Sequence, residues 1–354
     1  GTGGSGTLFT AMLLKGSGSP VVDRVNDRGA WWQPAGETAV RLLVREGDAG
    51  WESGETIATF RILQTTSGSM GHGRGQIDGA SALIQVGLST RRQAQVLATP
   101  GEFTLVAITG DLLGGTTSPE SSWVRMNLPS SGNGGSNIAV LGTIRGDTAG
   151  KGILTSADGG ESWEPLALAG MPAPGFGNGA IFRGFKDPVN SPTGAGVAFS
   201  GTARGPDVTG QTNDAIWWQP EGGALMLVAR ENDQPPGAPQ GAQWKAFTSV
   251  ALPGGDFGPL FTATLRRGTA ASPGPGGITG RNDVALYSTD AAGTVHELVR
   301  ESQSLLGKTV KSFYVLRAVS GSIGTTRSFG SAGQVVLQVT YTDSSTGIVR
   351  IQLP

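Results

Sequence analysis

Cysteine is missing from this chain, which excludes disulfides, thiolate metal sites and thiol nucleophiles. It assigns no compartment, because a secreted protein with a large core folds without cystines. Histidine occurs only twice, as His72 and His296, so an imidazole acid, base or triad would have to be built around one of these two. His72 lies in GSMGHGRG, expected to be a mobile loop, and His296 at a variable strand position; neither has a distinctive partner nearby in sequence. No apolar run approaches the roughly 20 residues of a membrane span. Charge of one sign is also lacking: 26 basic against 27 acidic residues give a net charge of −1, and the basic residues are scattered. A nucleic-acid or anionic-membrane partner needs a concentrated basic face. The chain therefore reads as binding no nucleic acid and inserting in no membrane. No basic, apolar, small-residue leader opens it. Residue 1 falls just before a strand of the repeat described next, as in a trimmed form of a longer precursor.

Glycine is abundant, 59 of 354 residues, while only 15% of residues are charged, against about 25% in an average domain. Short apolar runs between Gly-rich breaks, with no sustained 3.6-residue periodicity, predict an all-β protein of many strands and tight turns.

One sentence recurs: NDRGAWWQPAGETAVRLLVRE at 26–46, TNDAIWWQPEGGALMLVARE at 212–231 and NDVALYSTDAAGTVHELVRE at 282–301. Each is a hairpin of two apolar strands. Before each comes an opening strand, and six opening strands are legible, at 7–14, 82–88, 138–144, 196–203, 259–265 and 334–340. Their spacing is about 65 residues, longer than the ~40–50 of common propeller repeats because of long loops at 65–79, 110–121 and 267–280. After each hairpin comes a short aromatic strand (60–63, 123–128, 181–185, 244–248, 312–316), making four strands per unit. Four-stranded units that stack radially give a β-propeller. The expectation is one domain over 1–354 with six blades, in units 7–81, 82–137, 138–195, 196–258, 259–333 and a partial 334–354. The second unit keeps only the strand pattern, and the sixth stops after two strands, so that blade is incomplete in this chain and expected to be short, or completed by residues upstream of Gly1 or by another chain.

The recurring marks read first as structure. Trp31-Trp32 and Trp217-Trp218 sit mid-strand, so their rings point to opposite faces and both can be core. Asn26-Asp27, Asn213-Asp214 and Asn282-Asp283 precede a strand, where Asx side chains shape a turn; structural calcium on their oxygens stays open. Arg45-Glu46, Arg230-Glu231 and Arg300-Glu301 are expected to link successive blades. Arg145-Gly146-Asp147 spells an adhesion tripeptide, a three-letter match that chance supplies. Trp51 and Trp123, which belong to no Trp-Trp pair, are the candidate glycan contacts. In SADGGESW, Ser156, Asp158, Gly160 and Trp163 fit S-x-D-x-G-x-x-W, which resembles the Asp-box hairpin of sialidase-like and sortilin-like propellers, a folding device at the periphery.

The cadence NDRGAW, with Asn190 to Phe199 reading N-x-x-x-G-x-G-V-A-F and the LLVREGD and LVARENDQPPG endings, resembles the secreted bacterial tandem-repeat proteins described by an NxxGxxAF/W motif. That resemblance implies a propeller-like repeat fold and an extracellular or cell-surface location, and offers no catalytic residues. It points to a non-enzymatic scaffold or binding module with protein partners or further copies of itself, as in a surface layer or filament. The alternatives are a sialidase-like glycoside hydrolase using paired acids, and a module binding surface polysaccharide.

Overall fold

The computed structural model describes residues 6–16, 21–75, 81–115, 120–177, 179–193, 196–318, 328–330 and 332–354. Parts of two expected loops, at 76–79 and 116–119, and positions 194–195 of the Asn190–Phe199 motif lie outside them. Regular structure among the described residues is antiparallel strand, apart from two three-residue 3-10 turns. The chain divides into two compact units, residues 1–64 with 73–165, and residues 65–72 with 166–354.

The first unit begins with a three-stranded sheet, β1 (Thr7–Met12), β2 (Arg28–Gln33) and β3 (Arg41–Arg45), ordered β1-β2-β3. The second sheet runs β4 (Ile57–Arg61), β5 (Ala82–Leu88), β6 (Gln93–Thr99), β7 (Glu102–Ile108). The third runs β8 (Ser122–Met126), β9 (Asn137–Arg145), β10 (Gly150–Ser156), β11 (Glu164–Leu168), and β11 carries the chain out of the unit. Trp32, Phe60, Ile84, Val96 and Ile108 belong to its core.

In the second unit the fourth sheet is β12 (Ile181–Phe185), β13 (Gly196–Arg204), β14 (Asp214–Pro220), β15 (Met226–Arg230). The fifth is β16 (Trp244–Ala251), β17 (Leu260–Leu265), β18 (Val284–Thr289), β19 (Val295–Arg300). The sixth orders β20 (Lys308–Tyr314), β21 (Gln334–Tyr341) and β22 (Thr346–Gln352) around β21. Strands of two or three residues add to the edges of the third, fourth and sixth sheets. In β21 the alternation is plain: Val335, Leu337, Val339 and Tyr341 are buried, and Val336 and Gln338 face out. β13 (GVAFSGTAR) is instead buried on both faces over Val197–Gly201, where small residues alternate with large ones and let covering layers approach from either side.

The six opening strands and their hairpins lie where the repeat places them. The unit boundaries do not. The aromatic strand after each hairpin does not join its own hairpin; it pairs with the opening strand of the next unit, β4 with β5, β8 with β9, β12 with β13, β16 with β17 and β20 with β21. The sixth sheet therefore has three long strands rather than two, and the first sheet has three strands among the described residues, where the second has four.

Segment 65–72, which includes the first part of the loop 68–75 expected to be mobile, is packed among all three sheets of the second unit. The Ser67 amide and hydroxyl donate to the Asp187 carboxylate (2.9 and 2.6 Å), just after β12. Val250 of β16 donates its amide to the Gly68 carbonyl (2.8 Å). His72 is buried and its ring stacks on Phe329 beside β21 (5.9 Å). Gly71 passes so close to Leu316 that a Cβ would lie 2.3 Å from its Cα.

Candidate functional site

The recurring marks resolve into backbone geometry. Asn26 and Asn282 accept amide hydrogen bonds from Asp23 and Thr279, three residues back (2.8 and 2.7 Å), so their side chains close a local turn, though not by the bond to a following amide that an Asx turn makes. In the fourth sheet the same bond goes to Thr212, from the Thr209 amide (2.9 Å). The next residue in each case offers its carbonyl to the opening strand: Asp27 to Leu13, Asn213 to Ala203 and Asp283 to Leu265. Asn213 thus occupies the place of Asp27 and Asp283, and Asp214 sits one residue further in, level with Arg28 and Val284. The three Asn-Asp pairs are out of register by one, a correction to their equivalence. The signal was in the spacing, since Asn-Asp stands one residue closer to Trp-Trp at 213 than at 26.

The slip puts Asp214 in a groove of about 470 Å³ with Glu231, Lys186, Lys245, Thr202 and Phe185. That volume lies within the range of small-ligand sites. Burial pushes the Asp214 carboxyl above its ordinary pKa, and the Lys186 ammonium opposes it. Burial also raises Glu231; Arg266 opposes the rise, and the Asp214 charge adds to it. The groove therefore holds two carboxylates that are reluctant to ionise together, balanced by cations, an arrangement suited to hydroxyl or ammonium donors. In the fifth sheet Glu301 is raised further, to about 7, by burial and then by the Asp283 charge, with Arg267 opposing. Arg267 holds Asp283 at 3.1 Å.

The Arg-Glu marks divide in their roles. The arginines turn back locally, Arg230 onto Asp233 (2.7 Å) and Arg300 onto Glu297 (3.2 Å), while the Arg45 amide donates to Asp48. Glu231 alone of these glutamates is seen to pair into the next sheet, with Arg266 just past β17 (3.5 Å). Glu46 stays in its own sheet, 3.9 Å from Arg28. Linking by both residues of each mark is thus not what the fold does.

Trp32, Trp217 and Trp218 are core, as expected, but Trp31 is only half-buried. Trp123 is buried edge-on against Trp163 (5.1 Å), and Trp51 is half-buried against the core of the first unit. Trp123 offers no platform to a sugar; it is occupied with packing. The Ser156–Trp163 hairpin closes on itself: the Ser156 hydroxyl donates to Asp158 (2.7 Å), the Gly160 amide to the Ser156 oxygen (2.8 Å), and the Trp163 indole N–H to the Gly160 carbonyl (3.1 Å). Burial works to raise the Asp158 pKa, but hydrogen bonds from Ser162, Ser156 and Gly160 outweigh it and bring it to about 2. His296 has a partner that sequence spacing missed, Asp290 at 2.9 Å. Asp290 also accepts the Ala292 and Thr294 amides, so the pair clamps an exposed turn. Among the described residues no three of His, Cys, Asp and Glu converge to hold a metal ion.

A second feature is the outer edge of β1. Phe9 and Trp31 face each other across β1 and β2 and stack at 6.1 Å. The corresponding pairs are Phe199–Trp217 (5.7 Å) and Phe261–Tyr287 (5.4 Å), and all four of those rings are fully buried. Their cover comes from the aromatic strand beside them: Phe182 lies 4.9 Å from Trp217, and Trp244 lies 5.6 Å from Tyr287. No strand among the described residues takes that place beside β1. Phe9 and Trp31 stay half-buried, and Met12, Leu14, Val21, Val25, Val40 and Leu42 nearby in sequence are exposed.

No curated protein matches this chain. Among solved structures it is similar to AofleA from Arthrobotrys oligospora (10% identity, 99% of this chain and 84% of that one, TM-score 0.33). It is also similar to the tricorn protease (10% identity, 92% of this chain and 37% of that one, TM-score 0.30). A third likeness is to a DUF4623 family protein from Bacteroides eggerthii (10% identity, 90% of this chain and 81% of that one, TM-score 0.27). At such scores the likeness transfers neither a detailed fold nor a chemistry. A family model does match, over residues 21–353, and the chain belongs to that family, the family of unknown function DUF7453.

Proposed function

We propose that this protein is a non-enzymatic extracellular scaffold or binding module, built as a six-bladed propeller, which joins other polypeptide chains and first of all further copies of itself. The observation that carries the reading is the apolar surface around the first sheet, where Met12, Leu14 and Leu42 are exposed and the Phe9–Trp31 pair is half-buried among the described residues. Exposed apolar surface of this kind marks sites of contact with other proteins. The resemblance of the Asn-Asp and Trp-Trp cadence to secreted tandem-repeat proteins supports the location and the repeat architecture. Sedimentation of the purified chain over a range of concentrations tests the self-association, with assemblies growing as concentration rises. A monomer at every concentration refutes it.

A second reading, a glycan-binding or glycan-active protein, is favoured by the Asp214–Glu231 groove with its flanking lysines. In that case Asp214→Asn weakens binding to a glycan panel by tenfold or more, about 1.4 kcal/mol, while leaving the melting temperature close to that of the parent. A panel on which parent and variant both stay blank ends this reading.

A further inference from the structure

Two positions of the fourth sheet depart from the pattern of the others, and both departures open onto the Asp214 groove. The Glu231 amide is taken by the Asp214 carbonyl, where Glu46 and Glu301 donate to Arg28 and Val284, so a carboxylate stands at a level that is cationic or apolar elsewhere. The second position follows the bulge of each aromatic strand. Thr59, Arg125, Ala246 and Ser312 occupy it in the other sheets, and Gly184 occupies it here. Thr143, Thr264 and Thr340 thus face a side chain across the ladder, while Thr202 faces a glycine. A Cβ on Gly184 would lie 3.1 Å from the Thr202 hydroxyl oxygen, so its absence leaves that hydroxyl open to the groove. Across from it, the bulge of β16 between Trp244 and Ala246 turns Lys245 outward, where it is exposed on the groove wall.

The charges lining this groove do not balance. Glu231 is met by Arg266 at 3.5 Å, which leaves Asp214 as the one remaining carboxylate against two ammonium groups, Lys186 and Lys245. Lys186 is held in place: its Nζ donates to the Phe247 carbonyl (3.4 Å), and Gly68 passes so close that a Cβ would lie 2.7 Å from Lys186 Cβ. Asp214 Oδ1 is buried and accepts no hydrogen bond from the chain. A buried acceptor in that state is costly unless a donor reaches it. An ammonium donor would add to the cationic excess; a neutral hydroxyl does not, and a carboxylate on the same ligand cancels the excess. We infer that the groove binds a sugar unit that bears a carboxylate, a hexuronic acid, with the carboxylate on Lys245 and Lys186 and a ring hydroxyl donating to Asp214 Oδ1. The open Thr202 hydroxyl meets a second ring hydroxyl, and half-buried Phe185 gives the C–H face of the ring an apolar wall. The inference rests on the reading of this groove as a glycan site, and narrows the ligand to acidic saccharides.

The probes are short oligosaccharides of galacturonate, glucuronate, mannuronate and guluronate, each beside its carboxyl-reduced, neutral counterpart, titrated into the full chain by calorimetry. At least one uronate oligomer should bind saturably, and at least tenfold more tightly than its reduced form. Lys245→Gln should cost that oligomer tenfold and leave the weak binding of the reduced form unchanged. Gly184→Val, which covers the Thr202 hydroxyl, should weaken both forms. Lys311→Gln, at the matching bulge of the sixth sheet, should bind like the parent, and circular dichroism checks that every variant folds. Equal binding of uronate and reduced forms, or uronate binding that survives Lys245→Gln, overturns the inference while leaving the groove a glycan site. A chain that binds none of these oligomers overturns the inference, and if it also stays blank on a broad glycan panel the glycan reading falls with it.

Discussion

Glu301→Gln should stabilise this protein at pH 8 and leave it unchanged at pH 4. Glu301 follows β19 and faces Asp283, with the Arg267 guanidinium as the opposing cation. Its pKa rises from 4.5 to about 7, first by burial and then by the Asp283 charge. An acid whose folded pKa lies above its unfolded value holds, in the folded state, a proton that the unfolded chain has released. Stability from this group is complete below about pH 4.5 and is lost as the pH climbs towards 7. Taken at full weight, the shift corresponds to about 3 kcal/mol at 1.36 kcal/mol per pH unit. Glu301 is only half removed from solvent, and screening reduces this to roughly 1.5 kcal/mol. Glutamine keeps the shape and an acceptor for local amides but carries no charge to repel Asp283. The second unit, which contains this site, is of a size where 1 kcal/mol moves a midpoint by about 2–4 °C. Calorimetric scans at pH 4 and pH 8 should then show coincident melting at the lower pH and a variant higher by several degrees at the upper. Equal melting at pH 8, or a less stable variant, would refute the account of Asp283 and Glu301 as a strained acidic pair.

Two further substitutions separate covered from uncovered aromatic layers. Trp217→Ala should destabilise by about 3–5 kcal/mol, as for large core residues, because its ring is fully buried and its indole N–H donates to the Pro174 carbonyl (3.0 Å). Trp31→Ala, at the matching place in the half-covered first sheet, should cost less than half as much by chemical denaturation, and equal costs would mean that the Phe9–Trp31 face is covered in solution. Gly160 has φ +105° and a Cβ there would lie 2.5 Å from Val106 Cγ1, so Gly160→Ala should lower stability by about 2 kcal/mol. A melting curve that does not move would show that the hairpin relaxes freely.

Much of the architecture was legible before any coordinates. The repeat of apolar strand, turn and apolar strand located all six opening strands, and the Trp-Trp and Asn-Asp marks located turns and core positions. This works because alternation along a strand and turn chemistry act over a few residues, within reach of a linear reading. Partnering was less legible. Phe60, Trp123, Phe182, Trp244 and Phe313 read as the closing stroke of one unit and pair instead with the opening strand of the next. His72 read as a loop residue and is buried against Phe329, and Trp123 read as an exposed ring and packs on Trp163.

The candidate site was the least legible part. Asp214 and Glu231 looked like two more copies of repeat marks, and only the one-residue slip against Asn26-Asp27 and Asn282-Asp283 sets Asp214 apart. The local pattern of this chain determined that it would be all strand, where strands begin and which side chains alternate inward. Which strands share a sheet, which carboxylates meet in a groove, and where an aromatic layer is left half-covered were decided by the tertiary structure. Those depend on contacts between residues distant in sequence, and burial, pKa and exposed edges exist only once such contacts have formed.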